Sequence, residues 1–210
     1  MGSRWSTGRI EAFSDGVFAI AITLLVLDIG IPASSFDDLW RGIAHEWPSY
    51  LAYVTSFVTI GGLWMVHHGI FRALQYADAR VMRLNLLLLM AVSFLPFPTG
   101  LMAQAIRDTS AERAAVVFYG GTLLVISILL RVLLDAIVRR PDLLDPGVST
   151  EKIREVRTVA TPNIGFYAAV IVLSVLVPKV AVFGYLVIAI VAVWRARGDE
   201  SPQARPAEAA

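Results

Sequence analysis

From its first residue the chain alternates between long apolar runs and short polar breaks. Six runs stand out, at residues 10–31, 47–71, 84–103, 114–138, 158–177 and 180–194. Within each, apolar residues follow one another instead of alternating, which argues for helices and against the strands of a membrane barrel. At about 1.5 Å of rise per residue, the first run covers roughly 33 Å, enough for a hydrocarbon core of about 30 Å. The sixth is short and reads as tilted. Pro96 and Pro98 interrupt the third run. Each removes a backbone donor, so this helix should kink or end there. The pattern therefore predicts an all-α membrane protein with six transmembrane helices per chain. Trp5, Trp40, Trp47 and Trp194 fall near run boundaries, as interfacial anchors do.

The breaks add organisation. The longest, 139–157, carries Pro141, an Asp145-Pro146-Gly147 turn signal, and Ser149 or Thr150 as a helix cap. From Ser201 onward the chain is polar and rich in Pro and Ala, the composition of a disordered tail. The expected division is a transmembrane domain at 1–197 and a disordered cytoplasmic tail at 198–210. If the N-terminus is cytoplasmic, the inner segments hold thirteen of the 18 Lys and Arg residues and the outer segments hold Arg41, Arg107, Arg113 and Lys179. That bias places both termini in the cytoplasm. A secretory signal could imitate the first run, but Glu11 and Asp15 stand where such a signal is neutral or basic.

Composition fits this reading. The chain has 210 residues, 57% of them hydrophobic and 17% charged, with a mean hydropathy of +0.67. A water-soluble core does not need that excess; lipid as solvent does. A net charge of +1 gives no reason to expect a nucleic-acid partner. Without cysteine there is no disulfide, thiolate metal site or catalytic thiol.

Candidate chemistry rests on a few polar residues. Asp15 lies about five residues, roughly 8 Å, into the first run. An ionised acid in lipid costs a few kcal/mol even on lenient scales, on the order of 3, so it must face protein or water. Arg9 is six residues away, about 600° around a helix, and so on another face. The partner is expected on another helix: His67, His68, Asn85 or Arg83. The plainer alternative is that Asp15 caps the helix start near the headgroups. His67 and His68 are adjacent and point about 100° apart, so one ion does not readily take both, and no His-Glu-x-x-His motif exists. No metal site is expected; one histidine should be hydrogen-bonded and the other interfacial. Arg131 and Asp135 are spaced for an ion pair within a helix. Asp28 closes the first run, followed by Asp37, Asp38 and Glu46. Acids at a mouth would concentrate cations, or they are ordinary loop charges. Ile20, Leu24 and Leu27 form one helical stripe, bordered by Thr23. The opposite stripe, Phe18, Ile22, Leu25 and Ile29, is just as apolar, so the helical wheel does not choose between them.

The stretch Arg9-x-x-x-Phe13-Ser14-Asp15, followed by Ala19-Ile-Ala-Ile-Thr23-Leu-Leu-Val-Leu27-Asp28, resembles the signature of the TMEM175 family of potassium channels, its prokaryotic single-repeat members in particular. Trp64-x-x-His67-His68 and Ser93-Phe-Leu-Pro-Phe-Pro-Thr99 agree with it. The resemblance implies a homotetramer in the cell membrane, with first helices lining a central pore for monovalent cations, K+ foremost. It implies no Thr-Val-Gly-Tyr-Gly carbonyl filter, and the sequence has none. It assigns Ile20, Leu24 and Leu27 to the pore constriction and Thr23 to a hydroxyl ring. The alternative for Thr23 is a hydroxyl bonded back to the Ala19 carbonyl. It makes Arg9, Phe13, Ser14 and Asp15 a junction at the cytoplasmic end of the pore helix: Phe13 packing, Ser14 and Asp15 hydrogen-bonding, Arg9 binding a neighbouring helix or carbonyl, with His67, His68 and Asn85 as partners and Asp28 at the outer mouth.

The expected function is thus a potassium-selective or weakly selective cation channel, with no cofactor beyond the permeant ion. The alternative is a secondary cation carrier or proton pathway using Asp15 and His67 or His68. A membrane enzyme would need a nucleophile, a metal set or a second acid beside His67 and Asp15, and the sequence offers none.

Overall fold

A computed structural model describes residues 5–30, 33–106, 111–160 and 162–197. The predicted tail at 198–210 lies outside the described residues.

The described chain is helical apart from one short clasp. Strand β1 (Trp5–Ser6) pairs antiparallel with β2 (Tyr76–Ala77), Trp5 opposite Ala77 and Ser6 opposite Tyr76. Helix α1 (Thr7–Leu24) starts directly after β1, and Thr7 Oγ1 donates to the Leu74 carbonyl at 3.0 Å. Leu74 in turn bridges to Leu144, and Asp145 N–H donates to the Ala73 carbonyl at 3.0 Å. Three chain segments are therefore tied together at the N-terminal end of α1.

At its other end α1 tightens into a 3-10 turn, Leu25–Asp28. A second 3-10 segment, Ala33–Asp38, leads into α2 (Leu39–His45), which Asp38 caps by accepting from Arg41 N–H. Helix α3 (Trp47–Arg72) opens with Pro48 in its first turn, where no intrahelical donor is needed. Helix α4 (Ala79–Phe94) is capped by Asp78, which accepts from Arg80 and Val81 N–H at 3.0 and 2.8 Å. Helix α5 (Pro96–Ala105) follows at once. Leu95 between them keeps a right-handed helical backbone, φ −59°, so the prolines interrupt the helix while the span runs on. Helix α6 (Glu112–Val138) is the longest. A 3-10 turn at Pro141–Leu143 leads to α7 (Thr150–Ala160), α8 (Pro162–Leu176) and α9 (Pro178–Arg197).

Among the described residues, four stretches are long and apolar enough to cross a membrane: Thr7–Asp28, Trp47–Arg72, Ala79–Ala105 and Glu112–Val138. The expected all-helical membrane architecture is met, with four of the six expected spans long enough and the other two present as shorter apolar helices. The predicted fifth span began at Thr158, but that residue belongs to α7, a separate polar helix; Pro162 starts the apolar one, leaving α8 only 15 residues. Proline fits the first turn of a new helix and not the interior of a continuing one. The predicted sixth is longer than expected, 20 residues as α9.

The core lies where α1, α3, α4 and α6 converge, with Phe18, Ile60, Phe71, Leu88, Tyr119 and Leu123 fully buried. Buried polar groups are joined across helices. Ser56 on α3 lies 2.8 Å from Thr99 on α5 and 3.0 Å from Tyr119 on α6. Tyr185 of α9 packs against Gly120 of α6, where a Cβ would strike the phenol ring, and its hydroxyl lies 3.1 Å from that of Ser174. Only 28% of the apolar window of α1 is buried within the chain, the lowest share of the four candidate spans. This helix leaves most of its surface for something else to cover.

Candidate functional site

The two stripes of α1 have different fates. Ile10, Ser14, Phe18, Ala21 and, just beyond the helix, Leu25 are buried against the rest of the chain. Ile20 is 61% exposed, Leu24 40% and Leu27 74%, and Phe13 joins them at 57%. Ile22, two residues from Ile20, is partly buried and packed on the core. Phe13, Val17 and Ile20 form one wall of an apolar surface groove whose other wall is Leu86, Met90 and Ser93 of α4. Thr23 is exposed beside this stripe, and its hydroxyl donates to the Ile20 carbonyl at 2.9 Å. The back-bond of the alternative reading is thus made to Ile20 and not Ala19, three residues back, where the helix begins to tighten. A hydroxyl that donates once still has two lone pairs to offer.

Polar groups hold α1 from the other side. Ser14 Oγ donates to the Ile10 carbonyl at 2.8 Å and accepts from Asn85 Nδ2 at 3.1 Å. That leaves Asn85 Oδ1 to accept from His67 Nε2, 2.7 Å away. All three side chains are fully buried. The chain of bonds therefore runs one way, from His67 on α3 through Asn85 on α4 to Ser14 on α1. It places a proton on His67 Nε2. Phe71 stacks on the imidazole at 4.5 Å between ring centres and Phe18 meets it at 5.2 Å.

Asp15 takes a different partner. Trp64 Nε1 on α3 donates to Asp15 Oδ1 at 2.9 Å. Asp15 Oδ2 lies 3.8 Å from His68 Nδ1, and Glu11 Oε1 lies 3.1 Å from the same nitrogen. The two histidines thus serve separate clusters, His67 with Asn85 and Ser14, His68 with Glu11 and Asp15. Trp64 sits over His68, ring centres 5.3 Å apart.

Other predicted residues fall elsewhere. Phe13, expected to pack, is exposed in this chain because the inward face of that turn belongs to Ile10 and Ser14. Arg9 is exposed, and among the described residues of this one chain its guanidinium has no hydrogen-bond or ion-pair partner. Arg83 bonds the Ala79 carbonyl one turn back at 3.0 Å and does not reach Asp15. Asp28 is exposed on the 3-10 turn, its carboxylate laid on Gly100 of α5, where a Cβ would come within 2.8–2.9 Å of all three carboxyl atoms. Arg131 pairs with Asp135 at 3.2 Å. Sequence reasoning missed Trp64 as the donor to Asp15, Glu11 as its companion and Gly100 as the seat of Asp28. Two of these had a signal: Glu11 precedes Asp15 by four residues and Trp64 precedes His68 by four, so each pair shares a helix face.

Comparison with known proteins gives consistent likenesses. Residues 9–96 match the family model described as the endosomal/lysosomal potassium channel TMEM175. A protein described as a potassium channel in Streptomyces collinus is 42% identical over 152 residues, covering 72% of this chain and 74% of its own length. A zebrafish (Danio rerio) protein described as the endosomal/lysosomal proton channel TMEM175 is 42% identical over 120 residues, which is 23% of its length. The crystal structure of a lysosomal potassium-selective channel TMEM175 homologue from Chamaesiphon minutus superposes with a TM-score of 0.82 at 36% identity, over 90% of this chain and 97% of that one.

Proposed function

We propose, from the premise that this chain belongs to the TMEM175 family of ion channels, that it is a potassium channel of the cell membrane, with α1 lining the pathway. The observation that carries this is the exposed stripe of Ile20, Leu24 and Leu27 on a helix whose opposite face is anchored by Ser14 and Asp15. One such helix encloses nothing, and closed cyclic symmetry is the usual way to build a lumen from single copies. Four copies around an axis turn Ile20 into a ring that offers ions no ligands and sheds water when narrow. Thr23 adds four hydroxyls with free lone pairs, able to replace part of an ion's water shell. Phe13 and the groove between α1 and α4 are then covered by the neighbouring copy. Asp28 stands at the outer mouth, and both termini lie in the cytoplasm. Helices α8 and α9 serve as fifth and sixth spans, tilted or set in thinned lipid. No cofactor is required beyond the permeant ion.

A carrier or proton pathway through His67 receives less support. The hydrogen-bonded run from His67 ends on the Ile10 carbonyl, which has no proton to pass on.

The test is a bilayer recording of purified protein in mixed potassium and sodium, with paired substitutions. Ile20→Asn is expected to raise current and weaken discrimination between the two ions, because it wets the ring. Ile22→Asn is expected to lower expression or stability with little change in selectivity, since that side chain packs on the core. Conduction by a monomer or dimer, or the opposite ranking of the two substitutions, would overturn the assignment.

A further inference from the structure

Glu11, Asp15 and His68 offer one ligand atom each, all within 4.8 Å of one another. The two carboxylates come from successive turns of α1 and the imidazole from α3. The nitrogen-to-oxygen separations are 3.1 and 3.8 Å. These straddle the edge, roughly 3.4 Å, of a tetrahedron whose metal bonds are about 2.1 Å. His68 Nδ1 is shielded from solvent and, despite its two oxygen neighbours, makes no aligned hydrogen bond. A nitrogen closed off in this way, facing two anionic oxygens, is placed as a metal ligand is.

The surroundings are built to hold the set. Trp64 Nε1 occupies Asp15 Oδ1, which leaves Oδ2 toward His68. The same indole lies over the His68 ring. Outer groups that orient ligands in this manner are the usual support of a metal centre. The three side chains are 22–36% exposed overall, so the cluster lies near the surface although the His68 nitrogen itself is covered, and a bound ion would draw its remaining ligands from water. One imidazole with two carboxylates suits a borderline transition metal better than Mg2+ or Ca2+, which favour oxygen alone. Two negative carboxylates neutralise a divalent ion.

We propose that Glu11, Asp15 and His68 form a binding site for a divalent transition-metal ion of the zinc class, which ties the N-terminal part of α1 to α3. Only its position at the end of a conduction pathway rests on the channel reading. The experiment is calorimetric titration of the purified full-length protein in detergent with ZnCl2 and with MgCl2, alongside thermal unfolding. One Zn2+ per chain is expected, with a raised unfolding temperature and no comparable response to Mg2+. Glu11→Gln and His68→Gln should each weaken binding at least about tenfold, and Trp64→Phe should weaken it by about 10-fold or more through loss of orientation. Metal-free melting of each variant shows whether it is folded. The proposal is overturned if folded Glu11→Gln and His68→Gln proteins bind Zn2+ as tightly as the parent, or if the parent binds none. Potassium flux measured in EDTA separates the two readings: a chain that binds Zn2+ but carries no flux supports the metal site and sinks the channel.

Discussion

Asn85→Leu is the most informative single change, because Asn85 connects three helices through one fully buried side chain. Leucine is close in shape, so little cavity is opened, and the loss is confined to two hydrogen bonds. In membrane proteins such bonds average about 0.6 kcal/mol and reach about 1.7. Two of them give about 1.2–3.4 kcal/mol. The stranded groups set a similar scale: leaving a buried donor or acceptor unpaired costs about 1–3 kcal/mol each, and Asn85 Oδ1 is the hydrogen-bond partner His67 Nε2 would lose. A destabilisation of about 1–3 kcal/mol is therefore expected, measured by reversible unfolding in mixed micelles. A double-mutant cycle makes it specific. Ser14→Ala breaks only the 3.1 Å bond, so the pair Ser14→Ala with Asn85→Leu should fall short of additivity by about 0.6–1.7 kcal/mol. Additivity within about 0.3 kcal/mol would refute the claim that the two side chains act through each other.

Thr23→Ala should leave stability unchanged within about 0.5 kcal/mol, since the hydroxyl is exposed and bonds only its own helix, yet shift the potassium-to-sodium reversal potential. An unchanged reversal potential would reduce Thr23 to a local back-bond. Gly100→Ala should push the Asp28 carboxylate off its seat, because the new Cβ falls 2.8 Å from it, and so lower single-channel conductance at low salt, where mouth charges count most. Asp28→Asn should give the same loss, and the double change no more than either alone; an additive loss would separate the two residues.

The long apolar runs were legible because length and continuity alone specify a membrane helix. The break at Leu95 was legible because proline acts locally. The boundary between α7 and α8 was misread, since Val159 and Ala160 extend the apolar run of α8 backward and hide the break that Pro162 imposes. The site was legible in its residue types and only partly in its pairings: His68 was among the partners expected for Asp15, but the choice among four candidates was open. His67, His68, Asn85 and Asp15 were all singled out, yet Asp15 meets Trp64 and His68, while His67 and Asn85 meet Ser14. Pairing depends on how far α1 is rotated and translated against α3 and α4, and the sequence of one helix does not contain that offset. Gly100 could not be found at all: a glycine that seats a side chain from 72 positions away looks like any other small residue in a membrane helix.

The same rotation explains why the wheel could not choose the lumen. In lipid an apolar side chain loses little by facing a tail instead of a protein, so two equally greasy stripes do not fix which way a helix turns. Polar groups do, because an unpaired one in hydrocarbon is costly. Ser14 and Asp15 are adjacent, about 100° apart, and each finds a donor on a different helix, Asn85 on α4 and Trp64 on α3. Two bonds in different directions set the angle of α1 about its own axis as one bond could not. With that angle fixed, Phe18 and Leu25 turn inward, and Ile20, Leu24 and Leu27 are left outward roughly one to three turns further along. The polar motif at one end of the helix thereby determines which apolar residues are presented along the rest of it.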